Sequence, residues 1–63
     1  MKLYDLMATL IMMDTEDIVL KDANLEVLKT GDFETIMDFS IDNDVEVEGL
    51  GTYQGKLVII LCY

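Results

Sequence analysis

Leu3, Leu6, Met7, Leu10 and Ile11 recur at i, i+3, i+4, i+7 and i+8, which lays one apolar stripe along a helix. Lys2, Asp5 and Thr9 fall on the opposite side of it. Met12 and Met13 fit the end of this helix or the loop beyond, and Asp14-Thr15-Glu16-Asp17 forms an acidic link. The period then changes to two. Ile18-Val19-Leu20 reads as a strand, Asp22-Ala23-Asn24 as a tight turn, and Leu25-Glu26-Val27-Leu28 as the returning strand. Ile18 and Leu20 share one face, as do Leu25 and Val27, so both strands offer an apolar side to a common core. Thr30-Gly31-Asp32 ends the strand and starts a short second helix of about two turns, with Asp32 near the positive end of its dipole. Phe33, Ile36 and Met37 supply that helix with an apolar edge.

The last third predicts a hairpin. Val45 and Val47 alternate with Asp44, Glu46 and Glu48, and Gly49 and Gly51 mark a bulge or bend around Leu50. Gln54-Gly55 supplies the turn. The closing strand, Lys56 to Tyr63, places Leu57, Ile59 and Leu61 on one face and Val58, Ile60 and Cys62 on the other. Apolar residues on both faces predict a central strand covered on both sides. The result is a single α+β domain over residues 1–63, in the order α-β-β-α-β-β. It holds two helices and a mainly antiparallel sheet of about four strands. The second sheet face then needs a cover for Val19, Leu28, Val58 and Ile60. One helix on each face satisfies them, and so does a homodimer through that face, the solution we favour from the pattern.

Composition narrows the function. A chain of 63 residues with a 52% hydrophobic content is too apolar for a disordered tail, yet buries only about 60% of its unfolded surface. Its one cysteine, Cys62, closes no internal disulfide, and without histidine there is no zinc set. Thirteen carboxylates against four lysines give a formal charge of −9, with no arginine. Direct nucleic-acid binding lacks its basic patch, and no cofactor motif is present. No apolar run approaches the roughly 18 residues that cross a bilayer, and no export signal opens the chain, so a cytoplasmic, non-membrane setting is expected.

Catalysis has few candidates. Ser40 and Cys62 are the nucleophiles available, but no histidine can serve either as base, so no enzyme is expected. Asp42-Asn43-Asp44-Val45-Glu46-Val47-Glu48 spaces oxygen ligands faintly like a calcium loop, but Val47 stands where the required glycine belongs and Tyr53 where the bidentate glutamate does. No metal site is expected. As a strand, the same segment would set Asp42, Asp44, Glu46 and Glu48 in a row, spaced about 6.4–6.8 Å apart, a partner-binding acidic face. Asp14, Glu16 and Asp17 would extend its field. Such a row imitates a nucleic-acid backbone to a basic protein, although acidic strand faces also serve plain solubility. Leu3, Tyr4 and Met7 on the first helix offer a rival groove for a partner.

The opening Lys2-Leu3-Tyr4-Asp5-Leu6-Met7 and the phrase Asp14-Thr15-Glu16-Asp17-Ile18-Val19-Leu20-Lys21-Asp22 resemble very small acidic proteins of bacteriophages, prophages and other mobile elements. The resemblance spans most of the chain and brings no site residue with it. It implies a bacterial cytoplasmic setting and, since some such proteins inhibit host defence nucleases as anti-CRISPR proteins do, an inhibitory role. The expected function is a non-enzymatic protein-binding module, an acidic inhibitor or modulator of a basic nucleic-acid-binding host or defence protein. The alternative is a small homo-oligomeric structural or assembly protein whose charge only solubilises it.

Overall fold

The computed structural model of the chain describes residues 1–10 and 17–63. Its elements follow the order α-β-β-α-β-β: α1 (Leu3–Thr9), β1 (Ile18–Lys21), β2 (Val27–Gly31), α2 (Phe33–Asp42), β3 (Val47–Tyr53) and β4 (Lys56–Leu61). The four strands form one mixed sheet in the order β2-β1-β4-β3. β1 and β4 run parallel at its centre, and each pairs antiparallel with an edge strand. The α+β class and the central place of the last strand agree with the sequence reading.

One face of the sheet carries the core. Ile18 and Leu20 of β1 and Ile59 and Leu61 of β4 are buried there, Leu20 in register with Ile59 and Ile18 with the half-buried Leu57 across the parallel pair. Above them sit Leu3, Leu6, Met7 and Leu10 from α1 and Ile36 from α2. The α1 stripe is thus core over its described part, while Ile11, Met12 and Met13 lie outside the described residues. Both helices contribute to the same cluster and pack on each other. Neither is free to cover the second face. The one-helix-per-face solution is therefore overturned, because α2 finds its apolar partners in α1 and β2.

Several local expectations shift. Asp22 makes the predicted turn: its Oδ1 accepts from Asn24 N at 2.8 Å and from Glu26 N at 3.0 Å. Leu25 belongs to that turn, at φ 66°, and the returning strand begins only at Val27. A register shift opposite Leu20/Lys21 then turns Leu28 toward the core and leaves Val27 58% exposed. α2 runs ten residues, longer than the two turns expected, because Phe39 and Ser40 extend its inward face. Asp32 caps it, accepting from Thr35 N at 2.9 Å. Gly31 is required just before, since a Cβ there would meet the Thr35 side chain at 2.8 Å. At the other end, β4 stops at Leu61, and Cys62 is exposed just beyond the strand, its N–H donating to Glu46 O at 2.8 Å.

Candidate functional site

The segment from Asp42 to Glu48 is not one strand. Asp42 closes α2, Asp44 lies in the loop after it, Glu46 makes an isolated bridge with Lys2, and Glu48 sits in a bulge of β3. The even row of four acids therefore does not form. Two of its members are already engaged. Asp44 Oδ1 accepts from Tyr4 N at 3.0 Å, satisfying an amide in the first turn of α1 that its own N-cap, Lys2, leaves without a side-chain acceptor. Glu46 Oε1 stands 3.3 Å from the N-terminal ammonium, the one ion pair among the described residues. The same divergence separates the oxygens of the faint calcium pattern, and no trio of metal-ligating side chains gathers among the described residues.

A different acidic line does form, on α2. Glu34, Asp38 and Asp42 are spaced by four residues, all exposed, which aligns them on one helix face at intervals of about 6 Å. The sequence signal was available as the i, i+4, i+8 spacing. It was missed because the helix was expected to end before Asp42. Lys29 shares a shallow depression with Asp38, Asp42 and Asn43 but stands outside ion-pair distance of either carboxylate. Asp17 is exposed just before β1, whereas Asp14 and Glu16 lie outside the described residues.

The rival groove on α1 closes. Leu3 and Met7 have no exposure and belong to the core, leaving only Tyr4, 43% exposed, at that surface. Ser40 is buried in α2 and donates its hydroxyl to Met37 O at 2.6 Å, so its oxygen faces the protein interior.

Among the described residues, nothing covers the second face of the sheet. Val19, Val58 and Ile60 alternate with core residues and remain half-buried. Leu28, expected beside them, packs instead on the core side. Val27 takes its place through pairing with Lys21. On β3, Gly49 and Gly51 lie opposite Ile60 and Val58, so that strand adds no bulk to the face. The result is a shallow groove of about 410 Å³ over the two glycines, bordered by Lys21, Leu25 and Tyr53.

No protein-family model matches the chain, and neither does any curated protein or solved structure. No helix among the described residues is long and apolar enough to cross a membrane. Over the described residues the geometry defines a small two-layer α+β protein with two distinct surfaces, an acidic helix on one layer and an uncovered apolar sheet face on the other.

Proposed function

We propose that this protein is a non-enzymatic protein-binding module of a bacterial mobile element, an acidic inhibitor or modulator of a basic nucleic-acid-binding host or defence protein in the cytoplasm. The observation that carries this reading is the line Glu34, Asp38 and Asp42 along α2, exposed and without an ion-pair partner among the described residues. A rigid helix holds these charges at near-constant spacing, and that regularity is what a phosphate-binding surface recognises. The mobile-element setting rests on the resemblance of the Lys2–Met7 and Asp14–Asp22 stretches.

Association by such a surface is salt-dependent, since exposed charges are screened within a Debye length of about 8 Å at physiological ionic strength. A tagged chain incubated with bacterial extract should capture a basic protein at low salt and release it at high salt. The triple variant Glu34→Gln, Asp38→Asn, Asp42→Asn should weaken that capture at least about tenfold, as expected when several charge contacts are lost together. Neutralising Asp44, Glu46 and Glu48 instead should have the smaller effect on binding. Undiminished capture by the α2 triple variant would remove the charge-mimic reading.

A further inference from the structure

We infer that the uncovered sheet face is a self-association surface, through which two copies of this chain stack sheet to sheet with their helices outward. This concerns the layer opposite α2 and stands independently of the acidic-helix reading.

Charge distribution is the first argument. Directly paired positions share a face, so strand register tells which residues lie on it. The open face holds Val19, Lys21, Lys56, Val58 and Ile60, with Val27 and Thr30 on one edge strand and Gly49, Gly51 and Tyr53 on the other. Within the four strands no carboxylate is in register there; among the described residues Asp17, exposed just before β1 and next in register to Lys56, stands at its margin. Copies of net charge −9 repel one another, and strand positions that hold two lysines and no carboxylate lessen that repulsion at this face. Its margin is mixed in sign. Lys21 and Lys56 stand on the face, while Asp22 and Glu26 lie in the adjoining turn and Glu48 in the bulge beside Gly49. A two-fold related copy brings the same residues reversed, so cations of one can meet carboxylates of the other.

Size is the second argument. The molecule is a plate of 27 × 26 × 16 Å, and a broad side of it is on the scale of the roughly 800 Å² that each partner contributes to a standard interface. Full use of the face by one flat partner is what a second sheet offers, since packed sheets sit about 10 Å apart with side chains interleaved. The bare glycine strip over Gly49 and Gly51 is the recess into which apolar side chains of the second copy would fit.

The test is the solution mass by sedimentation equilibrium at about 100 µM, above the micromolar Kd of the weaker standard-size interfaces. The intact chain should sediment at twice its monomer mass, and more completely at high salt, which screens the repulsion between copies. That sign is opposite to the one expected for the α2 partner, so either reading can fail alone. Val58→Glu should halve the mass. Gly51→Glu gives the cleaner result, because a Cβ at Gly51 meets nothing within 4 Å and the monomer accommodates it. Circular dichroism and melting of each variant confirm that it remains folded. A monomeric intact chain would overturn the proposal, as would a dimer that survives both substitutions. Capture of a different protein by a monomeric chain, lost in Gly51→Glu, would also overturn it and assign the face to that partner.

Discussion

Three aspartates hold the backbone rather than face a partner. Asp22 closes the β1–β2 turn, Asp32 caps α2, and Asp44 receives an amide of α1 from 40 residues away in sequence. Each accepts from amide groups that local structure leaves without partners, which is why short acidic side chains occur at these points. Asp32 shows the linkage to pH. Its carboxyl is held below the ordinary value of 3.8, first by the backbone N–H of Thr35 and then by the Thr35 side chain. A lowered folded pKa means stability that is complete above the unfolded value and lost as pH falls through the folded one. The gap in Tm between the intact chain and Asp32→Ala should therefore be widest near neutral pH and should narrow below 3.8. A gap independent of pH would show that the charged carboxylate is not what caps the helix. Ser40 makes a related point at the same scale. A hydroxyl that reads as a candidate nucleophile is, once folded, a donor to the carbonyl three residues earlier.

Among the elements, the β3–β4 hairpin is the most strictly specified by its turn. Gln54 and Gly55 both have positive φ, 52° and 79°, the pairing of a two-residue turn whose twist matches the flanking strands. Glycine adopts this at no steric cost, but glutamine does so against the preference of its Cβ. Gln54→Asn should therefore stabilise the fold by about 0.5–1 kcal/mol, read as a higher urea midpoint with unchanged m-value. β2 illustrates the opposite case. Its apolar pattern alone puts Leu25 and Val27 inward, yet Leu25 bends through the turn and the register shift brings Leu28 inward instead. A single extra residue in a ladder reverses which side chains face the core, because the strand period is two. Period alone cannot locate that insertion.

At the scale of the whole molecule, stability rests on a small core under one sheet face. A chain of 63 residues is expected to have about 3–9 kcal/mol of folding stability, from roughly 0.05–0.15 kcal/mol per residue. Leu20 has no exposure and lies at the centre of that core. Leu20→Ala should cost about 2–5 kcal/mol and leave much of the population unfolded at room temperature. Ile41→Ala, on the outer side of α2 and 62% exposed, should change stability by no more than about 0.5 kcal/mol. Equal loss in both variants, measured by urea denaturation, would contradict the placement of the core. The two layers also separate the two surfaces. Acidic side chains collect on the helical layer and around the turns, and the apolar sheet face is left on the other side. Salt should therefore weaken one interaction and strengthen the other.

The sequence alone determined the α1 stripe, the Asp22 turn, the Asp32 cap, the Gln54-Gly55 turn, the order of elements and the central place of β4. Each of these is set by residues within a few positions of one another, through helical or strand period, side-chain capping and tolerance of positive φ. Only the tertiary structure decided that α2 packs beside α1, that Leu28 turns inward, and that Asp44 is engaged by a distant helix. It also broke the acidic row from Asp42 to Glu48 and set Glu34, Asp38 and Asp42 in line instead. Those outcomes depend on which apolar faces meet and on where a ladder gains a residue, and both are settled by contacts between segments far apart in the chain.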